Sequence, residues 1–97
     1  MNIDFGTSKK TMKIEVSNGT SVLSILEDVA NVDSVEYRGL GKMVTGIDGV
    51  AQDSNHSWLY FVNGKLPSIA VDKYHLTENS SVVFLYLSNN EAMKYFE

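Results

Sequence analysis

The stretch from Ile47 to Gly64 constrains the fold more than any other part of the chain. It contains two turn signals, Asp48-Gly49 and Asn63-Gly64, and each follows a β-branched residue. Asp-Gly and Asn-Gly are the strongest short-range signs of a tight turn, because these residues tolerate positive φ angles. Between the two turns, Trp58–Val62 is a run of large apolar residues that favours a strand. Residues 51–57 are small and polar, so they are expected to form a loop before that strand.

A change of hydrophobic period predicts one amphipathic helix at about residues 20–30. Apolar side chains recur there at helical spacing, and serine and acidic residues occupy the other face. Thr20 or Ser21 is placed to cap the N-terminus of this helix. A helix of about three turns is not stable alone in water, so it must pack against a sheet.

The remaining apolar residues alternate as in strands, apart from the most apolar segment near the C-terminus. That segment, residues 81–87, is apolar on both faces and is expected at the centre of a sheet, beside the first strand. Residues 31–34 are expected to be a polar connection. Strands are predicted at residues 1–5, 12–16, 35–37, 43–47, 58–62 and 81–87.

This order of elements predicts an α+β domain of β-grasp-like architecture, in which one helix packs on a mixed four- to five-stranded sheet. Residues 1–88 are expected to form the single domain. Residues 89–97 are expected to be a C-terminal tail, either a short helix capped by Asn90 or a disordered segment. A chain of 97 residues has room for one small core and no second one.

The charge balance excludes several classes of partner. The formal net charge is −4, and Lys9-Lys10 is the only adjacent basic pair, whereas nucleic-acid and membrane-surface binders need clustered cations. The N-terminus has no apolar run, so a signal peptide is not expected, and no segment is long enough to insert directly into a membrane. We therefore expect neither nucleic acid nor membrane as a partner.

The residue types that usually perform catalysis or hold metals are sparse. The chain has no cysteine, and His56 and His75 are its only histidines and lie far apart. Neither a Gly-x-Ser-x-Gly elbow nor a phosphate-binding loop is present. The oxygen-rich segment around Asp53 lacks the spacing of a calcium loop. We therefore expect a non-enzyme with no required cofactor and no metal site.

Aromatic side chains and the polar loop beside them remain as candidates for binding. In a strand, Trp58 and Tyr60 share one face, which either packs in the core or forms an exposed stacking surface. Loops carried on a rigid frame are the usual place for ligand-specific contacts. The candidate ligand- or partner-binding residues are Trp58, Tyr60, Asp53, Asn55, His56, Tyr74 and Tyr86.

Four segments, taken in order, carry a family resemblance. Thr20–Leu26 is similar to a Thr-Val-Leu-Asp-Ala-Leu helix start, Gly41–Val50 to Gly-x-Phe-Val-Thr-x-Ile-x-Gly, and Ser57–Gly64 to Trp-x-Tyr-x-Val-Asn-Gly. Tyr74–Val82 is similar to a Tyr-x-Leu-x-x-Gly-Asp-x-Val turn, with Asn79-Ser80 in place of Gly-Asp. These motifs resemble those of the transcobalamin/intrinsic factor C-terminal-like domain, an uncharacterised bacterial surface module of the DUF4430 type.

The resemblance implies a non-catalytic extracellular binding or adhesion module, attached to the cell surface as part of a larger exported protein. Its contacts with a protein or glycan partner would be made through loops and an aromatic sheet face, and the domain would be a monomer or weak dimer. The alternative is a small-molecule binding domain for cobalamin or a related corrinoid, because the vertebrate relatives form half of a clamp that buries cobalamin. Cobalamin is therefore a candidate by family resemblance only.

Overall fold

The computed structural model describes residues 1–13, 18–77 and 80–95. The elements in chain order are β1 (Asn2–Asp4), β2 (Lys9–Thr11), α1 (Val22–Val29), β3 (Val32–Tyr37), β4 (Gly41–Ile47), β5 (Val50–Ala51), β6 (His56–Val62), β7 (Val82–Ser88) and α2 (Asn89–Met93). The expected α+β class is confirmed, but the strands form two sheets.

The larger sheet has four strands in the order β2-β1-β7-β6. β1 is antiparallel to β2 and parallel to β7, and β7 is antiparallel to β6, so the sheet is mixed. β7 lies between β1 and β6, as its continuous apolar sequence predicts. Ile3 of β1 is in register with Phe84 of β7, and both side chains are buried.

The smaller sheet has three strands in the order β3-β4-β5. The predicted Asp48-Gly49 turn joins β4 to β5, and its residues have φ angles of 49° and 84°. The predicted polar connection at residues 31–34 is wrong, because β3 begins at Val32 and pairs with β4 along its length. β3 is an edge strand with mostly exposed side chains, so it lacks the apolar alternation that would reveal it in the sequence.

Helix α1 confirms the predicted amphipathic helix and identifies its cap. The Ser21 hydroxyl oxygen accepts a hydrogen bond from the Ser24 backbone N–H at 3.1 Å. The helix buries Val22, Leu23, Ile25 and Leu26 in a core shared with both sheets. Burial of each such side chain contributes about 1.5–3 kcal/mol, which stabilises a helix too short to persist alone.

The two ends of the chain differ from expectation in detail. β2 lies at Lys9–Thr11, earlier than the predicted strand at 12–16, and the part of that prediction at 14–16 lies outside the described residues. Helix α2 is capped by Ser88 rather than Asn90, because the helix begins at Asn89, directly after β7. Ser88 and Glu91 form a reciprocal capping box, whose hydrogen bonds lower the pKa of the Glu91 carboxyl. Within the described ranges, neither helix has the length and apolar character needed to cross a membrane.

Candidate functional site

One face of β6 carries most of the predicted aromatic candidates, and this face points into the protein. His56, Trp58 and Tyr60 alternate along it and lie opposite Ser88, Tyr86 and Phe84 of β7, respectively. Only 6% of the Trp58 surface is exposed, so its ring is a core residue and is not available as an exposed stacking surface. Of the two interpretations left open by the sequence, the structure supports core packing for Trp58.

Four rings contact one another in series, and we call this series the aromatic ladder: Phe5, Trp58, Tyr86 and His56. Phe5 meets Trp58 edge-on at 5.6 Å between centroids, Trp58 lies 5.0 Å from Tyr86, and Tyr86 stacks on His56 at 5.1 Å. The Trp58 Nε1–H donates to the Val50 carbonyl at 2.9 Å, and the Tyr86 hydroxyl donates to the Ala51 carbonyl at 2.7 Å. These two hydrogen bonds tie β5 to the larger sheet.

The loop before β6 folds onto the outer end of the aromatic ladder. Asp53 Oδ1 accepts a hydrogen bond from the Asn55 backbone N–H at 2.7 Å and lies 3.1 Å from His56 Nδ1. The Asn55 N–H, followed by the His56 ring, lowers the pKa of the Asp53 carboxyl. Loss of solvent and the nearby Asp53 charge raise the pKa of the Tyr86 hydroxyl. The structure thus brings together Asp53, Asn55, His56, Tyr86 and Trp58. The polar groups of the first three bind one another, and those of Tyr86 and Trp58 bind backbone carbonyls of β5.

Tyr60 and Tyr74 lie toward the other end of β6. Their rings meet edge-on at 6.4 Å, and Tyr60 also stacks on Phe84 at 5.9 Å. The Tyr60 hydroxyl donates a hydrogen bond to the Ile69 carbonyl. Burial, with the neighbouring Tyr74 and Asp72, raises the pKa of Tyr60 to about 12, so its hydroxyl remains a donor at neutral pH.

Beside Tyr60 lies an open apolar cleft of about 580 Å³, which we call the groove. It runs between the β3–β4 turn, the middle of β6 and the segment 66–71. Four large apolar side chains at the groove are exposed to solvent: Leu40 (74%), Ile69 (48%), Tyr37 (46%) and Met43 (39%). Its remaining lining is Gly39, Gly41, Lys42, Val44, Trp58, Leu59, Tyr60, Leu66, Pro67, Ser68, Ala70, Val71, Lys73 and Phe84.

Hydrogen bonds and one close backbone approach hold the walls of the groove. Asp72 Oδ1 accepts from the Lys42 backbone N–H at 2.8 Å, which joins the 70–73 turn to β4. On its other side, this segment accepts a hydrogen bond at the Val71 carbonyl from the Leu23 N–H at 3.1 Å. Gly41 has φ +111°, and a Cβ there would lie only 2.7 Å from the Ala70 Cβ. The groove is therefore preformed by contacts that do not involve its exposed apolar side chains.

Of the seven predicted candidates, only Trp58 and Tyr60 line the groove, and both contribute to its apolar wall. Most of the other groove residues escaped prediction because they come from segments that the sequence marks as turns or irregular. The available signal was the apolar character of Leu40 between two glycines, and of the Leu66-Pro67 pair, at positions where turns are usually polar. Among the residues that the structure describes, no three His, Asp or Glu side chains form a group that could hold a metal ion.

The chain is similar to one protein family and to a solved structure. A family model described as a domain of unknown function (DUF4430) matches residues 19–88. A 1.30 Å crystal structure, described as that of "a putative metal binding protein from Ruminococcus gnavus ATCC 29149", superposes with a TM-score of 0.72. The two chains are 13% identical over 91% of this chain and 93% of that one, a level that shows a shared fold alone. No curated protein matches significantly. Because the family model spans well over half of the sequence, the chain belongs to the DUF4430 family of domains of unknown function.

Proposed function

We propose that this domain is a non-catalytic binding module that holds an apolar ligand, or the apolar part of a larger ligand, in the groove. The observation that carries the proposal is the cluster of large exposed apolar side chains around a preformed cleft. Its volume of about 580 Å³ lies within the range of about 300–1,000 Å³ that is usual for ligand sites. The non-catalytic role rests on the sequence, which lacks cysteine and recognised catalytic motifs.

The energetics of the groove favour binding over a purely structural role. Leu40 and Ile69 leave apolar surface in water, and a contiguous patch of this kind commonly marks an interaction site. Burying that surface under a ligand would be favourable by about 25 cal/mol per Å². Since the groove walls are held by Asp72, Gly41 and Tyr60, little ordering would be needed when a ligand enters.

The biological setting is proposed from the family resemblance. The sheet order β2-β1-β7-β6, with β1 and β7 parallel and α1 after the first hairpin, supports a β-grasp-like domain related to the transcobalamin C-terminal domain. We place the domain in an exported bacterial surface protein, where a partner protein or glycan would contact the groove and nearby loops. The alternative ligand is a corrinoid. An open cleft can cover only one side of it, so a second domain would cover the other side.

Binding at the groove can be tested with N-phenylnaphthylamine, a neutral probe whose fluorescence rises in apolar sites. The wild-type domain should bind it, and Leu40→Ser should weaken binding several-fold, because Leu40 is the most exposed apolar side chain of the groove. Met93→Ser is the matched control: Met93 is 61% exposed on α2 and does not line the groove. Equal losses in the two variants, or no binding by wild type, would refute the proposal.

The corrinoid alternative has its own test. Isothermal titration with cobalamin should give heat if the isolated domain is a corrinoid binder, and Leu40→Ser should reduce the affinity if the groove is the site. Absence of heat at about millimolar ligand, which corresponds to a binding free energy weaker than about −4 kcal/mol, would remove the isolated domain as a corrinoid binder.

A further inference from the structure

The charged residues that line the groove are basic, whereas the protein as a whole is acidic. The whole chain carries 12 acidic and 8 basic residues, for a net charge of −4. The groove lining nevertheless contains two lysines, Lys42 and Lys73, and no aspartate or glutamate. The charged residues of the lining are thus basic, and one carboxylate, that of Asp72, borders them with its Oδ1 2.6 Å from the position that a Cβ of Gly41 would occupy.

Both lysines lie at the Gly41 end of the groove. Lys42 follows Gly41 in the chain, and the Lys73 Cγ is 3.3 Å from the position that a Cβ of Gly41 would occupy. The exposed Leu40 and Ile69 are the chain neighbours of Gly41 and Ala70, which approach each other at the same place. The groove is therefore amphipathic, with cations near one end and apolar surface along its length.

Two carboxylates lie near these lysines: Asp72, and Glu36, which is opposite Lys42 in the β3–β4 pair. Asp72 Oδ1 is occupied by the Lys42 backbone N–H, and Asp72 Oδ2 lies 3.9 Å from the Lys73 ammonium, at the limit of an ion pair. Within the described residues, the Lys42 ammonium makes no ion pair with any carboxylate. At least one lysine charge is thus available to a ligand.

We propose that the groove selects a small amphipathic carboxylate, with its apolar body over Leu40 and Ile69 and its carboxylate toward Lys42 and Lys73. This proposal rests on the proposed function and adds the ligand class to it. An ammonium–carboxylate contact at a half-exposed site adds modestly to affinity, because solvent screens it. Its main effect is selection: a neutral analogue loses the contact, and a cationic analogue is repelled.

The test compares three ligands that share one apolar chain and differ in the head group: decanoate, decanamide and decylammonium. Each is used below its micelle-forming concentration near neutral pH to displace N-phenylnaphthylamine from the wild-type domain. Decanoate should bind about 2- to 5-fold more tightly than decanamide, and decylammonium more weakly than either. The preference should shrink between about 20 mM and about 500 mM salt, where the screening length falls below about 5 Å.

The double variant Lys42→Gln/Lys73→Gln should abolish the preference for decanoate over decanamide. Glutamine retains the backbone N–H of residue 42 that binds Asp72, so the groove wall is preserved. The control variant Lys13→Gln/Lys94→Gln makes the same change in net charge at exposed sites outside the groove, and it should retain the preference.

The outcomes separate this proposal from the proposed function. If decanoate and decanamide bind wild type equally, or if the control removes the preference as fully as the groove variant, the carboxylate proposal is wrong and the apolar groove still stands. If none of the three ligands displaces the probe and the probe itself does not bind, the proposed function fails as well.

Discussion

The aromatic ladder and the groove both include side chains of β6, yet their apolar groups are in opposite situations. In the ladder, Trp58 is packed between Phe5 and Tyr86, and its N–H is paired with a backbone carbonyl. In the groove, Leu40 and Ile69 face solvent while the backbone around them is firmly hydrogen-bonded. The large aromatic residues of the ladder therefore stabilise the fold. The candidate for binding is marked by apolar side chains that remain exposed to solvent on a wall held by hydrogen bonds.

The largest effect on the free energy of unfolding should come from removing a ring of the aromatic ladder. Trp58→Ala should lower the free energy of unfolding by about 3–5 kcal/mol, because it leaves a cavity and an unpaired Val50 carbonyl. Tyr37→Ala, which removes an exposed groove aromatic, should cost less than about 1 kcal/mol. Urea unfolding followed by circular dichroism measures both variants.

Trp58→Phe covers the case in which Trp58→Ala does not fold. It should retain most of the packing and cost about 1–2 kcal/mol, mainly through the lost hydrogen bond. Comparable losses for Tyr37→Ala and Trp58→Ala would contradict the distinction between ladder and groove.

A second, smaller effect should come from the groove wall. Gly41→Ala should cost about 2–3 kcal/mol, because the residue has φ +111° and its new Cβ would meet Ala70 and Asp72. Gly39→Ala is the matched control, since Gly39 has φ +81° with nothing within 4 Å of its Cβ position, and it should cost about 1–2 kcal/mol. Equal costs in thermal or urea unfolding would show that the wall tolerates displacement.

The Tyr60 hydroxyl should make stability fall in alkali. Its pKa is raised from 10.0 to about 12, so the folded state favours the protonated phenol. The resulting stabilisation is fully present below pH 10 and is lost as the pH rises through about 12. Urea midpoints should therefore decline over this window in wild type, and the decline should be shallower in Tyr60→Phe. If the urea midpoint declines equally steeply with pH in Tyr60→Phe and in wild type, the Tyr60 hydroxyl is exposed to solvent in the folded protein.

The smallest effect on stability should come from the exposed groove side chain. Leu40→Ser should change the free energy of unfolding by no more than about 0.5 kcal/mol, because Leu40 makes little packed contact. The same variant should lose most of the affinity for N-phenylnaphthylamine. If unfolding in urea instead shows a loss of more than about 1 kcal/mol, Leu40 is part of the core and the contrast with the ladder weakens.

Local sequence signals predicted much of the scaffold. Helix α1, the Asp48-Gly49 turn and the strand at Trp58–Val62 follow from side-chain period and turn chemistry, which act over a few residues. The first half of β3 was missed, because an exposed edge strand has no buried face to impose alternation. The division of the strands into two sheets was also missed, since it depends on pairing between distant segments.

The candidate site was predicted less well than the scaffold. Trp58, Tyr60 and Tyr86 were candidates because they are aromatic. Whether their rings are exposed depends on which face of β6 meets the helix and the smaller sheet, and residue type does not determine this. Asp53, Asn55 and His56 do cluster, as their nearness in the chain suggests, but they bind one another. The groove combines a turn, a strand and the irregular segment 66–71, which are separated in sequence.

The sequence by itself determined the α+β class, the amphipathic helix, the tight glycine turns and the acidic net charge, because each depends on neighbouring residues or on composition. The tertiary structure alone decided that Trp58 is buried, that Leu40 and Ile69 remain exposed, and that Lys42 and Lys73 share one cleft. These three features depend on long-range packing, because packing sets how deeply a side chain is buried and which charged groups lie close together. Here the 70–73 turn closes against Gly41 and Lys42, and these contacts place residues some 30 positions apart along one groove.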